Sequence, residues 1–399
     1  MSGPLQGIRV LDLTSVVMGP YATQILGDYG ADVIKIEPPD GDVMRLAGPM
    51  RNPRMGHLYL STNSSKRSAV IDLKLAEGRA TLLHMATRAD VLVYNIRPQA
   101  MSRLGLGYDE IRAVNPKIIY AGAMGFSQRG PYAARPAYDD LIQGMAGIPW
   151  LVQQGGADLP RYAPMILADR IIGLQVANAI TSALYHRERT GEGQRIDVPM
   201  FEGLASITMG EHLSGRLFDP PLGTAGYKRS LSAERRPYRT SDGYICVMVY
   251  NDKQWRSLFD AVGEPGKFSA DARFSSQGAR LEHIDEVYGY LVKLIETRTT
   301  AEWLALFQDA DIPAARMNSI DDLLTDEHLV ATGFVRRYEH PSEGMLYESG
   351  ISTEWSHSQP ERRRPAPRLG EHTAEVLSEF DIAPDCIARL RAAGVISQD

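Results

Sequence analysis

Short apolar runs alternate with longer amphipathic segments through the first third of the chain. Ile8-Arg9-Val10-Leu11-Asp12-Leu13, Asp32-Val33-Ile34-Lys35-Ile36-Glu37, Ala69-Val70-Ile71-Asp72-Leu73, Asp90-Val91-Leu92-Val93-Tyr94 and Ile118-Ile119-Tyr120-Ala121 are brief and rich in β-branched residues, as strands are. Between them the pattern predicts helices over Tyr21–Tyr29, stopped at Gly30, and over Ala76–Arg88. This alternation predicts an α/β fold, a Rossmann-like doubly wound parallel sheet with right-handed crossovers. The turn after the first strand reads Thr14-Ser15-Val16-Val17-Met18-Gly19-Pro20. It lacks the glycine fingerprint that cradles a dinucleotide, which disfavours nicotinamide chemistry.

Further along, the periodicity predicts helices over Arg170–Arg187 and Phe201–Ser214. A Pro- and Gly-rich stretch follows, then a hairpin around Asp242-Gly243 and helices over Asp252–Val262, Ile284–Thr297 and Thr300–Asp309. The expected organisation is a large domain over 1–215, a linker over 216–235 and a smaller α+β domain over 236–325. Residues 326–399 then read as an irregular stretch with a helix over Glu371–Phe380. The basic run Arg362-Arg363-Arg364 reads as a solvated turn.

Composition narrows the partners. A chain of 399 residues with 44% hydrophobic and 23% charged residues suits a globular protein with a large core. A net charge of −6 gives no electrostatic reason to bind nucleic acid or an anionic membrane. Two cysteines, Cys246 and Cys386, make neither a disulfide framework nor a zinc pattern, so no metal is expected. The N-terminus lacks a signal-peptide layout and no apolar run spans a bilayer, so a cytoplasmic setting is expected.

One carboxylate stands out. Asp169 closes the apolar stretch Tyr162-Ala163-Pro164-Met165-Ile166-Leu167-Ala168, just before the long helical pattern. Its simplest reading is a helix N-cap. Its flanks are more apolar than an exposed cap needs, so a buried nucleophilic carboxylate is the second reading.

A series of short motifs then decides between them. Leu5-x-Gly7-Ile8-Arg9-Val10-Leu11-Asp12, Gly19-Pro20 and Tyr29-Gly30-Ala31-Asp32-Val33-Ile34-Lys35-Ile36-Glu37 come first. Lys66-Arg67-Ser68, Asp72-Leu73-Lys74, Asn115-Pro116, Gly125-Phe126-Ser127, Thr190-Gly191-Glu192-Gly193-Gln194 and Leu369-Gly370-Glu371-His372-Thr373 follow in order. In order and spacing the chain resembles the class III CoA-transferase family (CaiB/BaiF type, which includes formyl-CoA transferase) over nearly its whole length.

That resemblance implies an enzyme moving coenzyme A from an acyl-CoA to a carboxylic acid, an interlocked homodimer, and a C-terminal segment within 326–399 that returns to the large domain. It implies that Asp169 attacks the thioester carbonyl, and that Tyr138 and Asp139 match a tyrosine and an acidic residue near the active site. Val16, Met18, Asn95 and Ile96 match positions against the cofactor, with Ile71 near its adenine or, as an equal alternative, simply packed in the core. Lys74 and Arg103 match basic positions for its phosphates, and Arg135, also counted with the cofactor, replaces a lysine of some members and keeps its charge; apart from the resemblance, Lys74 and Arg103 read as ordinary surface charge. The alternative within the superfamily is an acyl-CoA racemase or epimerase, which carries a histidine where this chain has Tyr138. Arg45, Arg51 and Arg229 are spare cations for a second substrate carboxylate, with surface charge as the plainer reading.

Overall fold

The computed structural model describes residues 3–397. Its central sheet contains β1 (Arg9–Leu13), β2 (Asp32–Glu37), β3 (Lys66–Ile71), β4 (Val91–Tyr94), β5 (Ile119–Met124) and β6 (Gln194–Pro199). These six run parallel in the spatial order β3-β2-β1-β4-β5-β6, and the short strand Ile396–Ser397 adds antiparallel to β3. Val10, Leu11, Ile34, Val91 and Leu92 are fully buried, as expected of parallel strands covered on both faces. The chain reverses its winding between β1 and β4. Doubly wound sheets open a ligand crevice there, beyond the carboxyl ends of the strands.

Two strands escaped the apolar pattern. β6 is an edge strand whose exposed Arg195 and Asp197 pair at 2.7 Å, so its sequence looks like a loop. β3 begins at Lys66, three residues before the expected Ala69, because its polar start is buried with partners. Lys66 Nζ lies 3.0 Å from Asp12, Arg67 lies 2.8 Å from Asp32 and Ser68 donates to Glu37 at 2.6 Å.

The C-terminal segment returns to this sheet. Thr373 Oγ1 accepts the Val70 N–H at 3.1 Å and donates to the Ser397 carbonyl at 2.8 Å. The stretch expected to be irregular contains a hairpin, Val335–His340 with Gly344–Ser349. Arg362 is not a solvated turn residue. Its side chain is 11% exposed and bridges Asp28 at 3.2 Å and Glu348 at 2.8 Å, since a guanidinium withdrawn from water needs carboxylate partners.

The chain packs as two units. One contains the sheet and comprises the described residues up to Ala146, Pro164–Ser206 and those from Glu327 onward. The other comprises Gly147–Ala163 and Ile207–Asp326. It has a three-stranded antiparallel sheet, Tyr238–Arg239, Tyr244–Val247 and Ala314–Arg316. Helices Asp252–Ala261, Ile284–Ile295 and Thr300–Asp309 cover a core of Trp255, Phe259, Phe274, Trp303 and Phe307. Gly147–Ala163, inside the region read from sequence as one large domain, packs with this second unit, and 216–235 carries the helical turn Lys228–Leu231.

Candidate active site

Asp169 sits in the first turn of the helix Leu167–Thr190 and is 7% exposed. It is not the N-cap; Ile166 holds that place and makes no side-chain cap. The cap function is supplied from another helix. Asp139, the first residue of the helix Asp139–Met145, accepts the Asp169 N–H on Oδ2 at 2.9 Å. Its Oδ1 accepts from Gln143 Nε2 at 2.5 Å, and Gln143 also donates to the Met165 carbonyl at 3.2 Å. Helix N–H groups left without intrahelical partners thereby gain a charged acceptor.

Two close approaches bring Asp169 to the crevice. The helix Leu167–Thr190 crosses the helix Met18–Asp28 at Gly173, where a Cβ would lie 2.9 Å from the Met18 carbonyl. Only glycine permits that crossing. Gly125, just after β5, packs so tightly on Ala137 that a Cβ there would collide with it. This seats the 135–139 loop over the end of the sheet.

The result is a cavity of about 350 Å³ with Asp169 on its wall. It brings together Val16, Met18, Asn95, Ile96, Arg135 and Tyr138 from the residues read in the sequence. Arg97, Asp139, Phe126 and Met200 also line it. Tyr138 is open to solvent, at 71% exposed. A second, mainly apolar cavity of about 400 Å³ adjoins the first through Ser15 and Ile96, which line both. Ile36, Ile71, Leu73 and Leu104 line it, with Lys74. Both volumes fall in the range of small-molecule sites. Arg103, at the end of the helix Pro98–Arg103, is exposed and lines neither cavity; its neighbour Leu104 does.

Burial pushes the Asp169 carboxyl up to about 7, with the neighbouring Asp139 charge adding to the rise and Arg170 opposing it. Arg170 itself lies over the Tyr21 ring at 4.6 Å. A carboxylate that ionises near neutral pH is more basic, hence a stronger nucleophile, than an ordinary aspartate. Its burial also limits the access of water to it.

Asn95 has an unexpected place. Its Oδ1 accepts the Ser15 N–H at 3.1 Å and its Nδ2 donates to the Ser15 carbonyl at 2.7 Å. Its amide is therefore occupied in holding the turn after β1.

Of the three cations read as available for a second carboxylate, Arg45 is committed to the core. Arg45 is fully buried, donating to both oxygens of Glu37 at 2.7 Å and to Tyr59 at 2.6 Å. Arg51 donates to the Glu343 carbonyl, and Arg229 lies over Tyr250 within the second unit. Gln143 was the functional neighbour that sequence gave no role, and the contact made by Asp139 was not foreseen. Asp139 stood beside Tyr138 at a helix start, but its partner is 30 residues away. Among the described residues no cluster of three or more His, Cys, Asp or Glu is arranged to hold a metal, and no helix is long and apolar enough to cross a membrane.

Comparison with known proteins adds independent information. Residues 5–373 match the model of CoA-transferase family III. The succinate–glutarate CoA-transferase of Agrobacterium fabrum is 36% identical over 400 residues, covering 95% of this chain and 96% of that protein. The acetyl-CoA:oxalate CoA-transferase of Acetobacter aceti is 34% identical, covering 95% and 96%. A CaiB/BaiF family protein from Brucella suis superimposes with a TM-score of 0.80 at 30% identity, covering 96% of this chain and 100% of that one.

Proposed function

The chain belongs to CoA-transferase family III, and from that premise we propose that it moves CoA from an acyl-CoA donor to a dicarboxylic acid acceptor through covalent intermediates on Asp169. The observation that carries this reading is a buried carboxylate, ionising near 7, on the wall of a ligand-sized cavity at the switch point of the sheet. The Asp169 oxygen attacks the thioester carbonyl, forming an acyl–aspartyl anhydride and expelling CoA thiolate. The thiolate then attacks the aspartyl carbonyl, releasing the donor acid and leaving an aspartyl–CoA thioester. The acceptor carboxylate repeats the exchange in reverse, and Asp169 is regenerated as the new acyl-CoA departs. Each step exchanges one activated acyl group for another, so the thioester's transfer potential is retained.

The two adjoining cavities suit the two ends of such a donor. The apolar cavity with Ile71 and Lys74 is assigned to the adenine nucleotide, and Val16, Met18 and Ile96 to the thiol-bearing arm. Arg135 lies over the Tyr132 ring at 4.0 Å and is assigned to a CoA phosphate. A dicarboxylate acceptor is supported by the relatives that act on succinate, glutarate and oxalate, and by Arg97 in the same cavity as Asp169. An interlocked homodimer belongs to this reading, and the exposed apolar side chains Leu159, Leu217, Leu222 and Ile320 support it.

Succinyl-CoA incubated with enzyme and a panel of mono- and dicarboxylic acids tests the reaction. New acyl-CoA should appear as succinyl-CoA disappears, fastest with dicarboxylic acids. Release of CoA alone would mean hydrolysis. Deuterium entering the acyl α-carbon without a new thioester would mean racemisation.

Lys74→Ala should raise KM for the acyl-CoA donor about tenfold, equivalent to about 1.4 kcal/mol, while kcat changes less than about twofold. Arg103→Ala should act in the same direction but more weakly, since Arg103 lines neither cavity. Steady-state kinetics with the donor varied checks both, and equal effects would remove the distinction.

A further inference from the structure

Val16 adopts a left-handed backbone, with φ 72°. A β-branched residue rarely does so, because its side chain crowds the backbone there. Glycine at this place would take the same φ freely. Valine keeps a side chain in the cavity of Asp169, so its conformation must be imposed from outside.

The surroundings supply that constraint. The Val16 N–H donates to Asp42 Oδ1 at 3.1 Å. The same oxygen accepts the Met44 N–H at 3.0 Å, and the Asp42 N–H donates to Glu37 Oε2 at 3.0 Å. Asp42 Oδ2 lies 2.9 Å from Lys35 Nζ, which donates to the Thr14 carbonyl at 2.7 Å. With Asn95 on Ser15, the three successive residues Thr14, Ser15 and Val16 are each held by a different side chain. Asp42 and Lys35 are almost wholly buried. Thr14 and Ser15 line the apolar cavity and Ser15 and Val16 the one containing Asp169, so the held turn is the wall between them.

We propose that Asp42 is a positioning residue for CoA binding, holding the Val16 turn in the conformation that divides the two cavities. The proposal rests on the CoA-transferase reading above. Asp42 is on the wall of the apolar cavity and not of the one containing Asp169; it acts by fixing a peptide that a bound CoA ester would lie against. Without this hydrogen bond the turn relaxes toward ordinary valine conformations, and binding has to re-form it.

Removing Asp42 alone would leave Lys35 buried with a partner missing, which endangers folding. Replacing both charges avoids this. The decisive comparison is Lys35→Met/Asp42→Asn, which keeps an acceptor for the Val16 N–H, against Lys35→Met/Asp42→Leu, which does not. Calorimetry with CoA as the probe gives Kd, and kinetics with succinyl-CoA gives kcat and KM. The leucine variant should bind CoA about tenfold more weakly than the asparagine variant, with KM raised likewise and kcat within about threefold. Equal Kd values in the two variants overturn the proposal. Should the Lys35→Met background fail to fold, Asp42→Asn against Asp42→Ala carries the same comparison with the same two outcomes. Absence of CoA binding by the unaltered protein would instead count against the CoA-transferase reading itself.

Discussion

Asp169→Ala loses CoA transfer, with kcat/KM falling by about 10⁴-fold or more, while acyl-CoA still binds. No other carboxylate can replace it. Asp139 is the other acidic residue lining the cavity, but its two oxygens are engaged by the Asp169 N–H and Gln143. The same position has the opposite effect on stability. A carboxyl whose pKa rises from 3.8 to about 7 on folding stabilises the native state while protonated. That contribution is complete below pH 3.8 and is lost as pH climbs through about 7. Asp169→Asn removes the buried charge, so the variant should gain on the wild type between those pH values. The gain should reach about 1–3 kcal/mol at pH 8, against a ceiling of about 4 kcal/mol set by the pKa difference. Chemical denaturation at pH 4 and pH 8 reads this directly. An inactive variant no more stable at pH 8 than at pH 4, relative to wild type, would contradict the burial argument.

Asp139 governs the second large effect. Its charge raises the Asp169 carboxyl and its Oδ2 fixes the Asp169 backbone. Asp139→Asn keeps an acceptor but removes the charge. The acid limb of kcat/KM, expected near pH 7 from Asp169, should then move down by about one pH unit, on the order of 1.4 kcal/mol. Asp139→Ala removes the acceptor as well, leaving the Asp169 N–H unsatisfied at a protected helix end. Its plateau activity should fall by about 10- to 100-fold, beyond the same shift of the limb. A full pH profile for both variants separates charge from positioning. Identical profiles for asparagine and alanine would mean that the hydrogen bond contributes nothing.

How much of this was legible in the chain depends on the range of the interaction. β1, β2 and β4 could be read because their apolar residues lie next to one another and are buried on both faces. The start of β3 could not, since Lys66, Arg67 and Ser68 look solvent-exposed until Asp12, Asp32 and Glu37 are seen opposite them. β6 was hidden by the polar alternation of an edge strand.

At the site, the family resemblance located Asp169 and the residues of its cavity, but not what holds them. Asn95 lines the cavity, and the hold of its amide on Ser15, 80 residues away, left no mark in the sequence. Arg45 was read as available for a substrate, whereas Glu37 and Tyr59 occupy it in the core. Buried charges resemble surface charges in a sequence, because only the folded chain supplies their counter-ions. Val16 carried no signal of a left-handed backbone, since that conformation is imposed by Asp42 rather than by local preference.

Covalent catalysis at Asp169 is tested most directly by intact-mass spectrometry and peptide mapping of enzyme mixed with succinyl-CoA and quenched with hydroxylamine. Hydroxylamine cleaves an aspartyl anhydride or thioester and leaves a hydroxamate on the side chain. The mechanism predicts a hydroxamate on the peptide containing Asp169, absent without donor and absent from Asp169→Ala. Transfer of CoA to an acceptor with no modified aspartate, or with the modification on another residue, would contradict it.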